Sequence, residues 1–270
     1  MWSSQQSNEL PQGRELAQPP FVDPDSKERV IGYLEKKLNS FVELTADELS
    51  CLADLQSASV RVQRGKELVR EGQTGHKAYI LQSGWACSFK LLPDGSRQII
   101  GFPIPGDCIG LRSVLLRTSD HSFSALTDAS VCSVEAARML QVFNEFPRLA
   151  AAVLWATSRD EAMLVEHLVR IGRRSALERT AHFFLELAER LRLVGLATDQ
   201  QFPCPLNQYV LADALGLSAI HVNRVLRQLR EKQMMTLRRG KVTIHDLQAL
   251  QHLAGFESQR RTSDGPALEG

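Results

Sequence analysis

At Ala136 the apolar residues of this 270-residue chain change their period, and that change constrains the fold more than any other feature. Upstream, from Ala58 to Glu135, apolar and polar residues alternate in short runs, the pattern of strands with one buried face. The runs predict strands at Ser59–Gln63, Glu67–Arg70, Ala78–Ser83, Trp85–Leu92, Arg97–Phe102, Ser122–Thr127 and Val131–Glu135. Asp94-Gly95 separates two of them and is a hairpin signal, because such a turn needs positive φ. Gly65, Gly72, Gly84 and Gly106 stand at other reversals. Strands spaced about 8–12 residues apart form a sandwich, jelly roll or barrel. Two short helices precede them, carrying Val30, Ile31, Leu34 and Leu38, then Leu49, Leu52 and Leu55. Thr45 followed by Glu48 reads as a capping box opening the second. Residues 27–146 are therefore expected to be a small β-roll with flanking helices. Residues 1–26, rich in Ser, Gln and Pro, and residues 258–270 are expected to be disordered tails.

Downstream the spacing is helical. Residues 147–172 hold no helix breaker after Pro147, which suits a first turn. Ala150, Leu154, Thr157, Glu161, Leu164, Leu168 and Ile171 follow a 4-3-4-3-4-3 spacing, a heptad stripe with two polar members. The stripe could pack on the chain's own roll. We read it instead as the seam with a second copy, another face of the same helix lying on the roll. A further helix spans Arg174 to Val194, with Gly195 at its end, and Ala197–Pro205 reads as a linker. Residues 173–257 form a second domain. The class is α+β.

The most informative stretch is NQYVLADALGLSAIHVNRVLRQLREK, residues 207–232. Asn207 can cap a helix burying Val210, Leu211, Ala214 and Leu215, and Ser218 a second burying Val222, Val225, Leu226 and Leu229. Two helices crossing steeply need a small residue at the contact, Ala212, and a turn residue tolerant of positive φ, Gly216. This is the spacing of a helix-turn-helix. The outer face of the second helix presents Ala219, Ile220, Asn223, Arg224, Arg227 and Arg230. Arginine can pair both acceptors of guanine in a major groove, and an apolar side chain can meet the thymine methyl. After it, TLRRGKVTI reads as a hairpin with Arg238, Arg239 and Lys241 at its tip, placed for phosphates.

Net charge sharpens this assignment. The whole chain carries only +1, yet Leu206 to His245 holds seven Lys and Arg against two acids. A nucleic-acid site is therefore local, and its partner is double-stranded DNA. The longest apolar run, Leu149 to Ala156, is eight residues, too short to cross a bilayer, and no secretory signal is seen. A cytoplasmic protein without membrane partners is expected. The five cysteines form no CxxC pair, so a zinc ribbon or cluster is not expected. Cys204, between Pro203 and Pro205, is expected to be the most exposed thiol, unreactive for want of an adjacent cation. A cupin-like metal enzyme would need clustered histidines, and the seven here are scattered. No Walker loop, dinucleotide fingerprint or GxSxG elbow occurs. Neither enzymatic activity nor a cofactor is expected. A dimeric scaffold that binds no DNA would leave the arginine-rich face unexplained.

A β-roll, a long helix and a winged helix-turn-helix in this order resemble the Crp/Fnr family of bacterial transcription regulators. The likeness covers roughly residues 41–255 and is most specific at EGQTGHKAYILQSG, PGDCIG (Pro105–Gly110) and LADALGLSAIHVNRVLRQLRE. It implies a homodimer on a two-fold-related DNA site, contact with RNA polymerase, and a roll that senses a signal. Asn207, Ser218, Ala219, Ile220, Asn223, Arg224, Arg227, Arg238, Arg239 and Lys241 would then meet DNA. Gly106, Asp107, Ile109, Gly110, Leu111 and Arg112 would border a pocket for an unidentified small-molecule effector. Two departures matter. Leu111 stands where cyclic-AMP-binding members carry a glutamate, and Ser119-Asp120 where they carry the Arg-Ser phosphate grip, so a cyclic phosphate would be repelled. The first 50 residues hold none of the cysteines that oxygen-sensing members use. Ile220 and Asn223 also differ from better-known members while Arg224 matches, so the family's best-known half-sites are not assumed.

Overall fold

The computed structural model describes residues 32–74, 77–116 and 118–257. Both expected tails lie outside these, as do the helical expectation before Gly32, His76 and Arg117. Two helices open the described chain, α1 (Tyr33–Asn39) and α2 (Ala46–Leu55). The Thr45 side chain accepts from the Glu48 N–H, and the Glu48 carboxylate from the Thr45 N–H at 2.8 Å, so the capping box is complete.

The roll is built from β1 (Ser59–Val62), β2 (Glu67–Val69), β3 (Lys77–Ser83), β4 (Ala86–Leu91), β5 (Arg97–Gly101), β6 (Cys108–Ile109), β7 (Ser122–Ala125) and β8 (Ala129–Glu135). Among the described residues they form two antiparallel sheets, ordered β1-β8-β3-β6 and β2-β7-β4-β5. Val62, Leu81, Ala86, Ile109, Ala125 and Val131 fill the space between them. All seven expected strands are present. Two elements were not foreseen, the two-residue β6 and a short helix α3 (Leu111–Leu116). Gly95 adopts φ +81° in the expected hairpin, within a loop of residues 92–96 between the paired Leu91 and Arg97. Gly84 is required more strictly: at φ +82° a Cβ would lie 2.3 Å from the Asp128 carbonyl.

Each sheet also packs outward. Helices α1, α2, α4 (Ala136–Glu145) and the first turns of α5 (Pro147–Arg173) cover Ile80, Cys132 and Val134 of the first sheet. The outer face of the second sheet is apolar as well, with Cys87, Phe89 and Ile99 buried. A half-exposed antiparallel sheet would be polar there. These residues join Phe102 and Ile104 in one continuous core with the second domain.

That domain begins at α6 (Ala176–Leu193), opened by a Ser175/Glu178 capping box. It continues through β9 (Gln201–Pro203), α7 (Gln208–Leu215), α8 (Ala219–Glu231), β10 (Met235–Arg238), β11 (Lys241–Ile244) and α9 (Leu247–Ala254). Strand β9 corrects the sequence reading, which made this stretch a linker. It adds an edge to the hairpin in the order β10-β11-β9, and an edge position tolerates Pro203. Cys204 is corrected with it. Its N–H donates to the Gly240 carbonyl at 2.8 Å, its side chain is fully buried, and burial pushes the thiol up to about 12. Cys108 is instead the exposed cysteine. A maleimide reagent is expected to leave Cys204 unmodified in the native chain and to label it after denaturation, as read by peptide mass spectrometry.

Candidate nucleic-acid interface

Helix α7 starts where Asn207 Oδ1 accepts the N–H groups of Tyr209 and Val210, each at 3.0 Å. It stops at Gly216, whose φ of +62° lets the chain reverse. Ser218 Oγ then accepts from the His221 N–H at 3.2 Å and starts α8. The expected inner face is formed as read: Val222, Val225 and Leu229 are buried on α7, Leu226 is half-buried, and Ala212 is buried in the same core. One supporting residue was not foreseen. Arg179 of α6 donates to the Leu215 carbonyl at 2.7 Å and the Ile171 carbonyl at 2.8 Å, so one guanidinium serves the C-terminal ends of α7 and α5. A lone arginine in a helical sequence carries no signal of such a role.

The outer face of α8 is open among the described residues. Ile220 is 83% exposed, Asn223, Arg224, Arg227 and Arg230 are exposed, and Ala219 is half-buried. Arg227 is engaged within the helix, its Nε donating to Glu231 Oε1 at 2.7 Å. The hairpin turns at Arg239 and Gly240, φ +51° and +74°, between the paired Arg238 and Lys241. Positive φ at both central residues is the turn that suits twisted strands. It leaves Arg238, Arg239 and Lys241 exposed beside the helix-turn-helix. A convex helix with flanking cations can enter a major groove while the hairpin meets phosphates.

These elements are those of known regulators. Residues 59–146 match the cyclic nucleotide-binding domain family, and residues 178–253 match the Crp-like helix-turn-helix domain family. The chain is 31% identical over 197 residues to the nitrogen fixation regulation protein FixK of Bradyrhizobium diazoefficiens, covering 72% of this chain and 81% of that one. The chain belongs to the Crp/Fnr family. It is a transcription regulator with a helix-turn-helix DNA-binding domain. It is also 26% identical over 214 residues to the transcriptional activator Anr of Pseudomonas aeruginosa, covering 79% and 87% of the two chains. The solved structure of FixK2 from Bradyrhizobium japonicum superposes with a TM-score of 0.66 at 26% identity, covering 74% of this chain and 98% of that one.

The residues expected at an effector pocket differ in burial and in partners in this Crp/Fnr protein. Gly106 turns tightly against α1, with the Tyr33 carbonyl oxygen 2.8 Å from where a Cβ would be. Ile109 is fully buried in the roll, and Leu111 opens α3 after Gly110. Arg112 faces outward and pairs with Asp120 at 3.1 Å, so the acid that replaces the phosphate grip already holds a cation of the chain. Asp107 is buried, and chain cations sit on both its oxygens. Among the described residues no three His, Cys, Asp or Glu lie close enough together to hold a metal ion. His182 is buried in α6, and burial with Arg174 and Arg170 pushes its pKa down to about 3.

The heptad stripe lies where a partner could reach it. Leu149 and Ala152 of α5 are buried on the roll, and Trp155 stacks on Phe41 with ring centres 4.9 Å apart. On the stripe, Leu154, Thr157, Glu161, Leu164 and Leu168 are exposed, while Ala150 and Ile171 are half-buried. Val165 and Val169 widen it, two exposed residues that the heptad spacing left out.

Proposed function

We propose that the chain acts as a homodimer paired along α5, with each α8 entering the major groove of one half of a two-fold-related duplex site. The exposed apolar stripe on α5, of which only Leu149, Ala152 and Arg170 are buried, carries this reading, because isolated soluble chains rarely leave such a surface open. Arg224 and Arg227 reach base edges or the phosphates beside them, and Ile220, Asn223 and Ala219 tune the preference. Arg238, Arg239 and Lys241 hold the backbone, with Asn207 and Ser218 at the helix starts. The setting is the cytoplasm, and a regulator of transcription placed on such a site would meet RNA polymerase there. Among the described residues no helix is long and apolar enough to cross a membrane.

Selection from a randomised duplex library by the full chain tests this. A palindrome with half-sites about one helical turn apart, roughly 34 Å, is the expected enrichment. A single unpaired half-site, or no motif, would overturn it. Lys241→Ala should weaken binding to all sequences alike and reduce the salt slope by about 1, as a phosphate contact does. Anisotropy titrations at several salt concentrations on selected and random duplexes read both quantities.

A further inference from the structure

Asp107 stands in the PGD turn of the roll, but its partners come from elsewhere. Its Oδ1 accepts from Lys37 of α1 at 2.7 Å, and its Oδ2 from Arg190 of α6 at 2.7 Å and from the Ile104 N–H at 2.9 Å. Arg190 also donates to the Phe102 carbonyl at 2.9 Å. The three side chains are between 10% and 16% exposed. Burial works against the charge on Asp107, but Lys37 and Arg190 outweigh it and hold its carboxyl below the usual range. A second ion pair crosses the same boundary further out, Arg97 of β5 donating to Asp213 of α7 at 2.7 Å. Across the same boundary the buried Cys87, Phe89, Ile99 and Phe102 share one core with the helix-turn-helix domain. The domain is thus joined to the roll by an apolar contact and by charge pairs that cross the same boundary.

Two observations bear on the docked state. The outer face of α8 and the tip of the hairpin remain exposed while the domain is docked. In the turn where an effector was expected, both carboxylate oxygens of Asp107 accept from the chain's own cations. A domain held in one orientation gives up its rotational freedom before it meets DNA, which favours binding when that orientation is productive.

We propose that Asp107, Lys37 and Arg190, with the outer pair Arg97–Asp213, form an internal latch that holds the helix-turn-helix domain in its DNA-binding orientation without a small molecule. The latch rests on the reading that α8 enters the major groove, and the test separates the two. The full chain, with no small molecule added, is first titrated with the duplex it selects and with a random duplex. Failure to select any duplex overturns that reading and the latch together.

The variant Lys37→Met/Asp107→Asn/Arg190→Met removes the three buried charges together, and Asp160, 3.9 Å from Lys37, is left with its side chain half exposed to water. It should bind the selected duplex about 5–150-fold more weakly, the usual range of a coupling between sites, with random-duplex binding unchanged. Equal or tighter binding to the selected duplex overturns the latch alone. Should this variant not fold, the outer pair decides, since both its side chains are about a third exposed. Asp213→Arg adds a cation near DNA, so the quantity read is the ratio of specific to random affinity. That ratio should fall in Arg97→Asp and in Asp213→Arg and recover in the double exchange. An unchanged ratio in the single variants, or no recovery in the double, overturns the proposal.

Discussion

A chain carrying Leu164→Glu and Leu168→Glu is expected to sediment as a monomer and to bind its selected palindrome about 10²–10⁴-fold more weakly, the loss that follows when two linked sites become one. Both leucines are exposed, Leu168 to 72%, so the substitutions remove little packing within the chain itself. In a dimer the same substitutions would put four carboxylates along one seam, desolvated and without cations to pair them. Glu161 already contributes one acid per chain to that stripe, so the like-charge cost adds to an existing one. Random-duplex binding, which depends on each helix-turn-helix domain separately, should change far less. Sedimentation velocity and anisotropy together check the result, and a charged variant that remains dimeric would place the seam elsewhere. Leu149→Ala supplies the contrast. That side chain is buried on its own roll, and its loss should cost about 2–5 kcal/mol of stability in urea denaturation.

The same contrast explains what could be read before the structure was known. Alternation over residues 59–135 identified each strand long enough to show a period, and the small-residue and glycine spacing at Ala212 and Gly216 identified the helix-turn-helix. Elements made by partners rather than by their own pattern escaped. Strand β6 is two residues long and exists because Tyr79 and Ile80 pair with it. Strand β9 carries a proline and is a strand only because β11 lies beside it. Helix α9 has local signals, an Asp246 side chain accepting from the Ala249 N–H and Gly255 in the left-handed region at its end, but its eight residues show little more than two turns of period. The site divides in the same way. The basic face of α8 follows from helical spacing alone. Asp107 was legible as part of the PGD turn, yet its cations stand 70 and 83 residues away in sequence, and no local pattern announces a pairing of that kind. The apolar outer face at Cys87, Phe89 and Ile99 gave a surface to be covered without naming its cover.

Arg224→Ala should cost about 1–3 kcal/mol on the selected duplex and relax discrimination at one base pair in each half-site. Position and freedom single out this arginine. It projects from the first half of α8, the part that penetrates deepest when a recognition helix enters by its N-terminal residues. Among the described residues no ion pair engages it, whereas Arg227, one turn later, donates to Glu231 and must share or surrender that bond to reach DNA. Arg227→Ala is accordingly expected to cost less than Arg224→Ala on the same duplex. Two results would count against a base contact. A loss of equal size on random duplex would make Arg224 a phosphate contact, behaving as Lys241 is expected to. A loss on the selected duplex with unchanged preference at every position would mean that Arg224 orients the helix without reading sequence. Repeating the library selection with the variant distinguishes these, because a lost guanine contact appears as one degenerate position in each half of an otherwise intact palindrome.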